Sequence, residues 1–141
     1  RGVGCVGYPG SAEVVNMQPP DKLLKKGITH LPTVGDGRQS GTSESPSILN
    51  ASPESFIGGG LAYLKTGDPV ILDLNKGTLN ADVDEKEWSY RIKKWKEPKI
   101  QNQTPWQEIY RTNVGQLADG GCLELATAYK RIAKHLPRDN H

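Results

Sequence analysis

The sequence is short of sulfur and of aromatic residues: two Cys, one Met and one Phe among 141 residues, with three Trp and five Tyr. Cys5 and Cys122 stand far apart, without a CxxC and without a His at metal-site spacing. They carry no metal or redox motif and read as two reduced thiols of an intracellular protein. Long apolar runs are also missing. The longest are a handful of residues, against the ~20 that a membrane-spanning helix needs, and the N-terminus lacks a signal-peptide pattern. Charge of one sign is missing too: 18 Lys and Arg against 16 Asp and Glu leave a formal +2. That is too little for a field that demands nucleic acid or anionic lipid, so neither nucleic acid nor membrane is expected as a partner. A soluble, cytoplasmic chain is expected. The chain opens on Arg1 and its one Met is Met17, which fits a processed product or a piece of something longer.

The length is that of one domain, 1–141, large enough to bury roughly two-thirds of its unfolded surface around a single core. Sixteen Gly and ten Pro crowd the front of the chain, so the first part is loop-rich and the back is regular. Gly2, Gly4, Gly7, Pro9 and Gly10 predict irregular backbone that approaches something closely. Pro19 and Pro20 precede a short helix over 21–27, with Lys at its end and Gly27 to stop it. A strand from Ile28 to Val34 follows, then a polar loop over 35–47. A buried strand from Ser47 to Ala51 leads into a helical stretch opened by Ser52-Pro53-Glu54 and interrupted by Gly58-Gly59-Gly60. Asn50-Ala51-Ser52 and Asn102-Gln103-Thr104 match glycosylation sequons, but each is followed by Pro and stands as chance.

Val70, Leu72 and Leu74 alternate with Ile71 and Asp73. After the turn Asn75-Lys76-Gly77, Leu79, Ala81 and Val83 alternate again, which predicts a hairpin. Asp84 with Glu87 makes a capping-box pattern for a helix whose Trp88, Ile92 and Trp95 share a face, ended by Pro98. Thr104, Pro105 and Gln107 repeat the capping logic. Their helix carries Trp106, Ile109, Tyr110, Val114 and Leu117 up to Gly120-Gly121. A third helix carries Leu125, Ala126, Tyr129, Ile132, Ala133 and Leu136, closed by Pro137. The aromatic residues are expected as core anchors, and the intervening Lys and Arg as a solvated face.

Two segments are too polar and too Gly-rich for packing to explain. In Gly7-Tyr8-Pro9-Gly10-Ser11-Ala12-Glu13 a carboxylate follows a tight turn. It suits either a hard cation such as Mg²⁺ or the first turn of a helix. In Gly35-Asp36-Gly37-Arg38-Gln39-Ser40-Gly41-Thr42-Ser43, alternating Gly can form an anion-binding nest. Arg38 can fork onto a carboxylate or phosphate, and two hydroxyls stand in one short loop. A Walker A ending and a strand-Ser-helix elbow are both absent. The loop fits an oxyanion or sugar-acid site, and equally a plain polar turn.

Three motifs then occur in order: Gly7-Tyr8-Pro9-Gly10-Ser11-Ala12-Glu13, Asp36-Gly37-Arg38-Gln39-Ser40-Gly41-Thr42, and Ser45-Pro46-Ser47-Ile48-Leu49-Asn50-Ala51-Ser52-Pro53-Glu54. Together they resemble the C-terminal region of the dihydroxy-acid and sugar-acid dehydratases. The resemblance runs over nearly the whole chain, through the hairpin and Thr104-Pro105-Trp106-Gln107-Glu108 to Pro137-Arg138-Asp139-Asn140-His141. Gln39 and that tail are closer to the arabinonate and xylonate dehydratase branch than to the branched-chain amino-acid branch, where Phe usually precedes the Ser.

The resemblance implies an α/β domain of the swivelling β/β/α barrel-like type with flanking C-terminal helices. It implies Mg²⁺ and an iron-sulfur cluster in the full-length enzyme, with the cluster thiolates contributed by an N-terminal domain absent from this chain. Glu13 matches the metal ligand of this half, Ser40 the base and Thr42 its assistant. His141 matches a terminal His that reaches the active site in the sugar-acid branch, and Arg38 is a substrate-binding residue. Cys5 stands where the family more often has Pro, and Ser11 where many members have Met, so neither supports cluster ligation. The implied activity is dehydration of a sugar acid or a 2,3-dihydroxy acid to a 2-keto-3-deoxy acid, by a homo-oligomeric full-length enzyme of which this fragment alone is inactive. The competing expectation is a stand-alone module that holds a carboxylate ligand on residues 35 to 43.

Overall fold

The computed structural model describes residues 1–8, 19–38, 44–129 and 131. Of the expected site residues, Arg38 lies within these segments; Glu13, Ser40, Thr42 and His141 lie outside the described residues. The described chain mixes short helices with two small sheets, an α/β composition.

Helix α1, Asp21–Leu24, follows Pro20 and is closed by Gly27, whose φ of +76° lets the Ile28 amide reach back to the Leu23 carbonyl at 3.0 Å. The strand expected over Ile28 to Val34 is shorter: β1 is Thr33–Val34. It pairs in parallel with β2, Ser47–Ile48, in the register Thr33 to Ser47 and Val34 to Ile48. Both strands are half-buried, so the fully buried strand expected at Ser47–Ala51 is not formed. Instead Asn50 and Ala51 donate their amides to the carbonyls of Gly37 and Gly35. Beyond Pro53 the expected helical stretch resolves into two 3₁₀ turns, Ser55–Ile57 and Gly60–Ala62, as consecutive glycines disfavour a continuous helix.

The hairpin is formed as its alternation predicts: β3, Val70–Asp73, lies antiparallel to β4, Thr78–Ala81, with Leu72 opposite Leu79. Helix α2, Glu85–Lys94, begins where Asp84 caps it, its carboxylate accepting from the amides of Lys86 at 2.9 Å and Glu87 at 3.2 Å. It ends at Lys94, short of Pro98, because Trp95 turns to extended backbone and packs edge-on to Tyr63. Trp88 meets the same ring at 5.5 Å between centroids, so these two Trp anchor as expected. Arg91 locks the arrangement: its guanidinium donates to Asp68 at 2.6 Å and to Glu87 at 2.7 Å.

Helix α3, Pro105–Asn113, is capped by the Thr104 hydroxyl, while the Gln107 side chain accepts from the Gln103 amide at 2.6 Å. It stops at Asn113 rather than running to Gly120. Val114 is extended and bridges antiparallel to Leu123, and Leu117–Asp119 forms a separate 3₁₀ turn. Helix α4, Glu124–Thr127, is the described beginning of the third helix; Ile132, Ala133 and Leu136 lie outside the described residues.

Among the described residues the buried apolar side chains are Phe56 and Val114, whereas the most deeply buried side chains are those of Glu54 and Asp36. The ordinary apolar core expected from chain length is therefore not what organises this part of the chain. Trp106, expected as a core anchor, is 78% exposed, and Tyr129 is 56% exposed. In the hairpin Val70, Ile71 and Leu72 are all exposed, so neither face of that strand is covered. No described helix is long and apolar enough to cross a membrane.

Candidate functional site

The site is built outward from Asp36. Strand β1 ends at Val34, and the next residues, Gly35 to Gly37, are buried between the Asn50–Ala51 backbone and the N-terminal segment. Gly37 is obligatory: a Cβ there would strike the Val3 carbonyl. The close approach foreseen from the glycine content is real, and it takes place between these two backbones.

The Asp36 carboxylate has no solvent exposure, and accepts four hydrogen bonds. The Gly2 amide donates at 2.9 Å, the Val3 amide at 3.2 Å, the Ser55 amide at 2.8 Å and the Ser55 hydroxyl at 2.6 Å. Burial is the largest single influence on this carboxyl and would raise its pKa. The hydrogen bonds to its ionised form together outweigh burial and hold it below the usual value.

Glu54 is built on the same plan. Its carboxylate is 2% exposed and accepts from the amides of Val6 and Gly7, each at 2.9 Å, and from the Gln116 side-chain amide at 2.9 Å. The Gln116 carbonyl oxygen in turn accepts from the Glu54 backbone amide at 2.9 Å. Gly4 makes room for this carboxylate, since a Cβ there would overlap it. Asp36 and Glu54 thus each take two consecutive amides of the N-terminal segment, 2 and 3 by one, 6 and 7 by the other.

Around this clamp lies a set of polar side chains. The Cys5 thiol and the Tyr110 hydroxyl lie close enough to influence each other's ionisation. Burial is the main cause raising both pKa values; the charge of Glu54 also raises them, and nearby Arg38 pulls the other way. The Arg38 side chain is exposed and stands at the mouth of the loop that continues to Ser40. Arg111 reaches the Asn102 side chain at 2.9 Å and the Gly7 carbonyl at 3.4 Å, and its buried Nε has no hydrogen-bond partner among the described residues.

The structure therefore brings Arg38 and the first residues of both expected motifs to one place: Gly7 opens the segment that leads to Glu13, and Asp36 opens the loop that leads to Ser40. Glu13, Ser40, Thr42 and His141 lie outside the described residues. Among the described residues no group of three or more His, Cys, Asp or Glu could hold a metal ion. The two cysteines, Cys5 and Cys122, are both free. The described donor set thus does not by itself make a Mg²⁺ or an iron-sulfur site. An open groove of about 630 Å³ lies elsewhere, between Leu49–Pro53, the hairpin and Trp88. Its lining does not include Arg38 and holds one carboxylate, Glu85.

Sequence reasoning left Asp36 and Glu54 without a role although both stand inside quoted motifs. The available signal was the glycine pattern, since Gly4, Gly7 and Gly37 each mark a point where something must come close.

The dihydroxy-acid/6-phosphogluconate dehydratase C-terminal family model matches residues 1–122. The chain belongs to this family. It is 60% identical to the D-xylonate dehydratase of Caulobacter vibrioides over all 141 residues, which make up 24% of that protein. It is 42% identical over 95 residues to the L-arabinonate dehydratase of Rhizobium leguminosarum bv. trifolii, covering 67% of this chain and 16% of the relative. A dihydroxy-acid dehydratase of Picrophilus torridus is 32% identical over 122 residues, 86% of this chain and 22% of the relative. The chain spans about a quarter of the length of these relatives, and the higher identities fall on the sugar-acid side, as Gln39 and the tail predict.

Proposed function

We propose that this chain works as the C-terminal domain of a sugar-acid dehydratase, a hydro-lyase that converts an aldonate to its 2-keto-3-deoxy acid. The observation that carries the reading is the end-to-end likeness to D-xylonate dehydratase. The joint anchoring of the Gly7 segment and the Asp36 loop supports it, because the first two of the three motifs of the resemblance start from the same clamp. The barrel-like swivelling architecture, the missing N-terminal domain, a homo-oligomeric assembly and a cytoplasmic location are parts of the same proposal.

In this reading Ser40, as its alkoxide, takes the proton from C2 of the substrate, Thr42 assists it, and Arg38 forks onto the substrate carboxylate. The terminal His141 is a further substrate contact. The C2–H and C3–O bonds break, the departing hydroxide takes the proton that Ser40 collected and leaves as water, restoring the base, and the enol that remains tautomerises to the keto acid. Glu13 supplies this chain's one carboxylate toward Mg²⁺, with the other donors and all cluster thiolates upstream. When bound, a divalent cation and an iron-sulfur cluster supply Lewis acidity toward the charge developing at the substrate carboxylate and the departing hydroxyl.

The test is a panel of pentonates and hexonates offered to the longer protein and to residues 1–141 alone. Keto-acid formation by the longer protein with none by the isolated chain is expected. Turnover by the isolated chain overturns the division of the site. Tight carboxylate binding by the isolated chain without any turnover by the longer protein favours the stand-alone module instead.

A further inference from the structure

Asp36 and Glu54 present an unusual combination: two acidic side chains, the most deeply buried among the described residues, that each accept from two backbone amides of the N-terminal segment. The described ion pairs, such as Arg91 with Asp68 and Lys65 with Glu87, involve neither of them. An acid is among the costliest groups to bury, and an apolar pair would fill such a space more cheaply. What the carboxylates accomplish that apolar side chains cannot is directional: each holds two successive amides in fixed orientation.

The placement gives that rigidity a purpose. Asp36 is four residues ahead of Ser40 and two ahead of Arg38, and it ties this loop to Gly2, Val3 and Ser55. Glu54, adjacent to Ser55, ties Val6 and Gly7, six residues ahead of Glu13, to Gln116. Because 54 and 55 are neighbours, the two clamps share one short backbone stretch. A displacement of either motif base is resisted by the other.

We propose that Asp36 and Glu54 are positioning residues of the dehydratase site, a paired carboxylate clamp that sets the distance between the Arg38–Ser40 loop and the segment leading to Glu13. The proposal rests on the dehydratase reading above. Neither group touches substrate; each acts through the amides it holds. A misplacement of about 1 Å in a reacting group can cost roughly 100-fold in rate, so loosening the clamp acts on turnover more than on substrate capture.

The test uses the full-length enzyme, with wild type assayed first, and variants Asp36→Asn, Glu54→Gln and the milder Ser55→Ala. The last removes only the hydroxyl contact to Asp36. Folded protein is quantified by circular dichroism and gel filtration so that kcat refers to folded molecules. The clamp predicts a kcat lower by about 10- to 100-fold in Glu54→Gln, with KM for the sugar acid changed less than about threefold. Ser55→Ala falls in the same direction by a smaller factor, which keeps the test decisive if Asp36→Asn does not fold.

Amide hydrogen exchange gives a readout independent of turnover. Val6 and Gly7 exchange faster in Glu54→Gln, and Gly2 and Val3 in Asp36→Asn or Ser55→Ala. Variants with less folded protein but wild-type kcat per folded molecule overturn the proposal, as does unchanged exchange at these amides. A wild-type enzyme that dehydrates no sugar acid overturns the functional reading on which the clamp depends, and is told apart by preceding every variant result.

Discussion

Gln116 and Glu54, 62 residues apart in the chain, hold one another reciprocally: the backbone amide of Glu54 donates to the Gln116 side-chain carbonyl, and the Gln116 side-chain amide donates to the Glu54 carboxylate. The pair joins the segment after α3 to the stretch that carries Glu54 and, through Ser55, holds Asp36.

Replacing Gln116 by Ala leaves a buried amide and one carboxylate oxygen short of a partner. A destabilisation of about 1–3 kcal/mol is expected, since an unsatisfied buried group loses its full desolvation cost. Urea unfolding should show a lower midpoint with an unchanged slope. A midpoint equal to wild type would mean that the reciprocal bonds contribute nothing net.

Adjacent glycines give a sharper contrast. A Cβ at Gly59 would run into the Pro53 carbonyl, whereas a Cβ at Gly60 meets nothing within 4 Å. Gly59→Ala is expected to cost about 1–3 kcal/mol or to prevent folding, because backbone rather than a flexible side-chain end must yield. Gly60→Ala should stay within about 0.5 kcal/mol of wild type. Thermal unfolding of the two variants side by side checks the pair, and equal effects would contradict the close approach of residues 53 and 59.

Much of the local structure was legible in the sequence for a physical reason. Asp84 and Thr104 cap their helices through bonds spanning two or three residues, and the hairpin register follows from alternation next to a tight turn. These are short-range choices. The end of α3 was not legible, because Val114 leaves the helix to bridge Leu123, a contact no periodicity encodes. Asp36 and Glu54 escaped for the same reason together with a second one. Their partners lie as far as 62 residues away, and Asp and Glu are by default surface residues, so composition hides an acid that is swallowed whole. Trp106, expected inside from its place on the apolar stripe, is mostly exposed.

Acid should weaken the fold in a defined direction. Burial pushes the Asp36 carboxyl up, but its four hydrogen bonds more than offset this. Asp68 and Glu87 are lowered first by their hydrogen bonds to Arg91. All three therefore bind a proton less readily in the folded chain than in the unfolded one. Their contribution is present above the ordinary carboxylate pKa of about 4 and is lost as pH falls through the lower folded-state values. Urea midpoints should be flat from neutral pH down to about pH 5 and fall steeply below about pH 4. Asp36→Asn should flatten part of that acid limb, and a midpoint independent of pH across this range would refute the assignment.

Ser40 provides the most direct prediction about chemistry. If its hydroxyl takes the C2 proton, Ser40→Ala in the full-length enzyme removes the accepting atom and little else. The exchange deletes one oxygen from a loop whose base is held by Asp36. General-base contributions run to about 10²- to 10⁴-fold, so turnover should fall at least that far while the unfolding midpoint and the bound metal stay at wild-type levels. Thr42→Ala should give an intermediate loss, since an assisting hydroxyl supports the base without replacing it. Steady-state assays with the preferred aldonate, run beside metal analysis of the same preparations, separate these outcomes. Near-normal turnover in Ser40→Ala would transfer the base to another residue while leaving the family assignment and the carboxylate clamp intact.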